Sequence, residues 1–251
     1  MRFDYPAEAQ IPQLRRLWHQ AFGDDDTFLD AFFAAGFSPQ RCRCATENGL
    51  LAAALYWFDC EVEGRKLAYL YAVTTDMAFR RRGICRSLME DTHGLLKKQG
   101  YCGAVLVPGA TSLAAVYSPM GYRYCTQIRE FFCTAAPEPV PLRPIDAAEY
   151  CCLRRRMLPE GAVLQEGQTL PFLETQTSFY AGQHLLLAAR REGTALFGLE
   201  LLGDPAAAPG VLSAMGVPQG RFRTPGEGRN FAMYCPFDGS AAPRYFAFAF
   251  D

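Results

Sequence analysis

No apolar run in the sequence approaches the roughly 18–20 residues a helix needs to cross a bilayer, so no membrane span is expected. The opening segment, MRFDYPAEAQ, has no apolar core of the kind a signal peptide carries, and a cytoplasmic location is expected. A surplus of either charge is also missing. The 25 basic and 26 acidic side chains leave a formal net charge of −1, which argues against a general nucleic-acid-binding surface. Ten cysteines are present, yet no C-x-x-C pair and no Cys/His cluster occurs; Cys42-x-Cys44 and Cys151-Cys152 are the only close pairs. Cys60, Cys102, Cys133 and Cys235 sit among apolar neighbours, where a free thiol acts as a small hydrophobe. Reduced thiols and no metal site are expected. His19, His93 and His184 are scattered, and no G-x-S-x-G elbow accompanies them, which disfavours a hydrolytic triad.

What the chain does have is apolar residues, half of its 251, enough to bury one large core or two ordinary ones. It also has one stretch in which local patterns converge on a binding chemistry. Leu67 to Val73 is wholly apolar and reads as a buried strand. Arg80-Arg81-Arg82-Gly83-Ile84-Cys85 follows, and then a helical repeat. A strand, an Arg/Gly turn and a helix N-terminus build an anion site, because unpaired N–H groups and the helix dipole converge there. Gly83 permits backbone conformations that a Cβ forbids. The turn lacks the lysine of a P-loop and the glycines of a dinucleotide fingerprint, so a nucleotide-binding module is the weaker reading.

Arg80-x-x-Gly83-x-Cys85 resembles the Q/R-x-x-G-x-G/A signature of the GNAT acyltransferases, with Cys85 where Gly or Ala is usual. Tyr117-Ser118-Pro119-Met120-Gly121-Tyr122 resembles that family's Y-x-x-x-G-F/Y segment. The resemblance implies an α/β mixed-sheet GNAT acyl-CoA N-acyltransferase fold, with acetyl-CoA as co-substrate and no metal. It implies N–H contacts to the pyrophosphate from Arg81, Arg82, Gly83, Ile84, Cys85 and Arg86, with Arg80 heading the motif. Val73, Thr74 and Thr75 are expected along the pantetheine arm, Ser112 on the pantetheine or adenine side, and Tyr117 at the departing thiolate. In particular Ala72-Val73, Arg80 to Gly83 and Arg86 are similar to the loop of multidomain enhanced-intracellular-survival-type acetyltransferases.

Ile11, Leu14, Leu17, Trp18 and Phe22 predict a first helix ending near Gly23. Asp24-Asp25-Asp26 opens a second as caps. Asn48-Gly49 predicts a hairpin from Arg41 to Cys60, and a turn near Gly64 leads into the Leu67–Val73 strand. A helix from Ile84 to Lys98 precedes a strand over Cys102–Val107, read as parallel to Leu67–Val73. A short helix capped by Thr111 or Ser112 holds Tyr117, and Tyr122 to Cys133 reads as one strand. The resulting β-α-α-β-β-β-α-β-α-β order matches the GNAT fold over residues 1–134. A proline-rich joint, Ala135 to Pro141, is the expected boundary. Residues 140–251 echo the start: Leu153–Met157 against Leu14–Leu17, Phe172-Leu173-Glu174 against Phe28-Leu29-Asp30, and Ala189…Gly193 against Ala45…Gly49. A second, degenerate GNAT-like half is expected, with strands near Leu185–Arg190 and Leu196–Leu202 and a final strand from Tyr245 to Phe250.

Acetyl transfer to an amine needs a base, and the sequence leaves four open: Glu61, Glu63, Asp76 and, by analogy with the similar multidomain enzymes, the terminal carboxylate. Leu55-Tyr56-Trp57-Phe58 serves either as an acceptor-pocket wall or as core. The leading expectation is an N-acetyltransferase acting on a small-molecule or peptide amine, without nucleic acid or membrane, and a homo-oligomer stays open. The alternative is a non-catalytic acyl-CoA-binding sensor.

Overall fold

Two compact units make up the computed structural model, which describes residues 1–249. The first comprises Met1–Arg123, Gly167–Phe172 and Met233–Ala242. The second comprises Tyr124–Glu166, Leu173–Ala232 and the segment from Pro243 onward.

In the first unit β1 (Arg2–Asp4) is followed by α1 (Ile11–Phe22), which Gly23 stops in the left-handed region at φ 75. Asp25 caps α2 (Asp26–Ala31) by accepting from the Phe28 N–H at 2.8 Å, the predicted capping role. Strands β2 (Cys42–Glu47), β3 (Leu50–Val62) and β4 (Arg65–Thr75) form two hairpins. Their turns, Asn48-Gly49 and Glu63-Gly64, both carry positive φ at the two central residues, the geometry that matches strand twist. Helix α3 (Ile84–Lys98) then crosses to β5 (Gly103–Leu106), parallel to β4 as expected. After α4 (Ala114–Tyr117) the chain enters the two-residue β6 (Arg123–Tyr124), where the first unit ends. Thr111 and Ser112 do not cap α4; they lie in a 3-10 turn, and no side chain bonds the N-terminus of either segment. Leu55, Tyr56, Trp57 and Phe58 are at most 2 % exposed, so this segment is core and not a pocket wall. Trp18 and Phe32 pack on it, and Phe172 stacks on Phe58 at 6.1 Å.

The second unit begins with β7 (Gln127–Thr134), so the expected single strand from Tyr122 to Cys133 is two strands in two sheets. Strand β8 (Leu142–Ile145), α5 (Ala147–Met157) and α6 (Thr169–Glu174), whose residues up to Phe172 belong to the first unit, precede β9 (Ser178–Gly182), β10 (Leu185–Glu192) and β11 (Ala195–Gly203). Helix α7 (Ala208–Ala214) crosses to β12 (Gln219–Asn230), parallel to β11. The sheet order is β7-β12-β11-β10-β9-β8. The first sheet, β1-β2-β3-β4-β5-β13-β6, takes its β13 (Met233–Pro236) from late in the chain, antiparallel to β5. Each sheet therefore runs strand, helices, three antiparallel strands, crossover helix and parallel strand.

Three further expectations need correction. The proline-rich joint is not a boundary: the Ala135, Ala136 and Val140 N–H groups bond Pro218, Pro209 and Gly210 carbonyls within the second unit at 2.9–3.1 Å. The Ala189…Gly193 echo is displaced by one hairpin, because β10 occupies in its sheet the place of β3, not β2. Among the described residues the Tyr245 segment meets a strand partner only through an isolated Tyr245–Ala162 bridge. The amide of buried Gln165 holds it instead, bonding Phe248 O at 2.8 Å and Phe248 N at 2.9 Å. Phe250 lies outside the described residues.

Candidate functional site

Strand β4 keeps company with β5 only from Leu67 to Tyr69. Beyond that point its outer backbone edge is open toward β5. Its register against β3 slips where Ala72 and Val73 face the single residue Leu55, and Ala72 adopts φ 48. This is a β-bulge at a non-glycine residue, a conformation that neighbouring structure must hold in place. Val73 and Thr75 are half-buried, and the hydroxyl of buried Thr74 has no hydrogen-bond partner.

Asp76 then turns the chain, its carboxylate accepting from the Ala78 N–H at 2.9 Å. Arg81 (φ 63) and Gly83 (φ 76) both lie in the left-handed region on either side of Arg82, a reversal of hand that turns successive peptide N–H groups toward one point. Gly83 is the N-cap of α3 and offers no side-chain cap; the first helical bond is Ser87 N–H to Gly83 O at 3.1 Å. The N–H groups of Ile84, Cys85 and Arg86 thus have no acceptor within the helix. No acid stands in the first turn of α3, and a Cβ on Gly83 would meet nothing within 4 Å.

The arginines divide their work. Arg82 grips Glu47 with both oxygens at 2.8 Å, and Arg80 Nε donates to Thr75 O at 3.1 Å, so these two side chains brace the loop. Arg81 and Arg86 are exposed and their side chains have no hydrogen-bond or ion-pair partner among the described residues, leaving two uncompensated charges beside the open N–H groups.

Tyr117 ends α4, half-buried, and its hydroxyl has no partner among the described residues. Burial holds the phenol above its ordinary value, and nearby Cys85 adds to the shift. Cys85 is itself pushed up by burial, so the residue departing from the family signature is an uncharged thiol close to the tyrosine. The Tyr117 ring meets Tyr122 edge-on at 6.0 Å. Tyr122 in turn shares a 2.8 Å hydrogen bond with His93 Nε2, and burial with the nearby Lys97 charge pushes that imidazole down to about 4. No role for His93 is legible from its neighbours in the chain, because a lone histidine on a helix carries no local signal for such a pair.

Ser112 is exposed in its 3-10 turn. Glu61 pairs in register with Lys66 and Glu63 sits in the β3–β4 turn, so both lie near the expected strands but at the end away from the bulge. At about 3.3 Å per residue, about 25 Å of strand separates that turn from Val73. Asp76 is committed to its cap. Asp251, with the terminal carboxylate, lies outside the described residues. No group of three His, Cys, Asp or Glu side chains able to hold a metal occurs among the described residues.

An acetyltransferase (GNAT) domain model matches residues 2–125, a span that closes at β6. Among solved structures, a GCN5-related N-acetyltransferase from Kribbella flavida aligns over 94% of this chain and 71% of its own, at 15% identity and a TM-score of 0.73. Eis1 from Mycobacterium abscessus aligns over 95% and 74% respectively, at 13% identity and a TM-score of 0.70. A putative acetyltransferase from Pyrococcus horikoshii covers 99% and 94%, at 11% identity and a TM-score of 0.66. At such identities the likeness is one of fold. A comparison with curated protein sequences found no match.

Proposed function

We propose that the protein, which through residues 2–125 belongs to the GNAT acetyltransferase family, moves an acetyl group from acetyl-CoA to a primary amine by direct attack in a ternary complex. The observation carrying this reading is the set of free N–H groups at Ile84, Cys85 and Arg86 beneath an uncovered Gly83, flanked by the unpaired guanidiniums of Arg81 and Arg86. That donor set suits a pyrophosphate, with each charge-assisted bond contributing about 1.5–3 kcal/mol. Val73, Thr74 and Thr75 present the open edge of β4 to the pantetheine arm, and the orphaned Thr74 hydroxyl is a further polar group for it to satisfy.

The co-substrate supplies an activated thioester. At the bulge, a peptide N–H freed from the ladder polarises its carbonyl as an oxyanion hole does. Tyr117 serves the departing sulfur by hydrogen bonding. Its phenol lies above 10 and a thiol near 8.5, so complete proton transfer would be uphill by more than about 2 kcal/mol, whereas a donated hydrogen bond requires no ionisation. Ser112, exposed and free of a cap bond, stays the outermost candidate contact, on the adenine side. An alkyl ammonium must lose a proton before attack, a handicap of roughly 4 kcal/mol at pH 7. The displacement of Glu61 and Glu63 from the site leaves the base unassigned among the described residues.

That displacement is also what favours the second reading, an acyl-CoA sensor without turnover. Thiol release from acetyl-CoA across a panel of primary amines separates the two. Amine-dependent release supports the transferase, and coenzyme binding without release on any amine supports the sensor. No described helix is long and apolar enough to cross a membrane, and the reading places the enzyme in the cytoplasm.

A further inference from the structure

Within the second unit, β12 leaves its ladder with β7 in an unusual way. Thr224 pairs with Arg129 and Arg229 with the adjacent Ile128, so the four residues Pro225–Gly228 are extruded from the sheet. The extrusion is written into the sequence. Pro225 has no N–H to give a ladder, Gly226 adopts φ 142, and a Cβ on Gly228 would lie 2.4 Å from the Ile128 carbonyl oxygen. Bulges of this size forfeit ladder bonds and gather where a strand must shape a site.

The extruded loop walls a pocket of about 500 Å³ that Tyr124 to Gln127, Pro159, Arg244 and Tyr245 complete. That volume lies within the range of small-molecule sites, about 300–1,000 Å³. Its charges do not cancel. Arg244 has a counter-ion, Glu160, at 3.8 Å. The Glu227 carboxylate has no ion pair or hydrogen bond among the described residues, and the side chains of Asn230 and Tyr124 have none either. One uncompensated carboxylate, tyrosine and proline surfaces and two free neutral polar groups are the recognition set of a compact ammonium ion with an apolar or hydroxylated body. The electrostatics disfavour an anion, and among the described lining residues Glu227 is the one acid, which disfavours a polycation.

We propose that this pocket is a binding site for a small monocationic amine, with Glu227 as its counter-ion and Asn230 as its neutral partner. The proposal concerns binding within the second unit and does not rest on the acetyl-transfer reading. The test is therefore made without coenzyme. Ligand-observed NMR measures Kd for benzylamine, tyramine and glucosamine, with benzyl alcohol as the neutral counterpart of the first. Expected are millimolar or tighter binding of at least one amine, no comparable binding of the alcohol, and a tenfold or greater loss in Glu227→Gln. Asn230→Ala weakens binding about threefold, and both variants, at exposed loop and strand-end positions, keep the wild-type melting temperature and CoA affinity. Binding of alcohol and amine alike, binding of none of the amines, or an unchanged Kd in Glu227→Gln overturns the proposal.

Discussion

Replacing Gly83 by aspartate separates the folding role of the loop from the anion-binding role proposed for it. The residue sits at φ 76 as the N-cap of α3, and a Cβ there meets nothing within 4 Å, so the substitution brings backbone strain and no clash. A left-handed conformation costs a non-glycine residue about 1–2 kcal/mol. Against this, an acid at a helix N-terminus regains about 0.3–1 kcal/mol. In a chain of this size the net change lowers Tm by only a few degrees, at about 2–4 °C per kcal/mol. Binding responds differently. A carboxylate about 5 Å from one phosphate charge repels it by about 3 kcal/mol at an effective dielectric constant near 20. Solvent screening at an exposed loop roughly halves that figure, and the second phosphate restores it. At about 1.4 kcal/mol per decade the expected loss of CoA affinity is about 100-fold or more. Gly83→Ala carries the same strain without the charge and should bind within about tenfold of wild type. Isothermal titration of both variants with CoA, paired with thermal melts, reads the contrast. Equal affinities for the two variants, or wild-type affinity in Gly83→Asp, would refute the placement of the phosphates.

Tyr117→Phe should lower kcat about 10- to 100-fold with little change in KM, since in the proposed mechanism the hydroxyl acts only once charge builds on sulfur; unchanged turnover removes it from the mechanism. Because burial raises the Tyr117 phenol, the wild-type profile should show no alkaline limb from it below pH 10. Buried neutral His93, held near about 4, makes the fold acid-sensitive: between pH 6.5 and 4 the unfolded chain binds a proton that the folded one refuses, so stability falls as pH drops. Urea melts should lose up to about 3 kcal/mol over that interval, and His93→Asn should flatten the loss. In the second unit, Arg154→Met strands the buried Glu200, which Arg154 contacts at 2.6 and 2.9 Å, and should cost about 3–5 kcal/mol, near 10 °C in Tm. Adding Glu200→Met should recover most of it; no recovery would mean the pair stabilises beyond mutual neutralisation.

The parts of the fold that could be read from sequence are those encoded over short distances. Gly83, the periodic stripe of α3, the Asn48-Gly49 turn and the Asp25 cap each declare themselves within a few residues. The exchange of strands could not be read in this way. Strand β7 carries no mark of the sheet it joins, and nothing local tells the short apolar run of Met233–Pro236 to pair with β5 more than a hundred residues earlier. Composition misled at Ala135–Pro141, where proline suggested a linker but the remaining N–H groups find carbonyl partners along α7 and β12. Motif reading found the residues of the loop and not their division of labour. That Arg82 is spoken for by Glu47, while Arg81 stays free, depends on a hairpin tip thirty-five residues upstream. The bulge at Ala72 was likewise invisible, since alanine has no preference for φ 48.

The central claim is that the head of α3 seats a coenzyme pyrophosphate while the open edge of β4 receives its arm. Titrating 15N-labelled protein with coenzyme A and following each amide tests it most directly. The account predicts the largest shifts at Gly83, Ile84, Cys85 and Arg86, with Val73 to Thr75 moving in the same titration. Saturable binding that leaves those amides in place, or no binding at millimolar coenzyme, would contradict it.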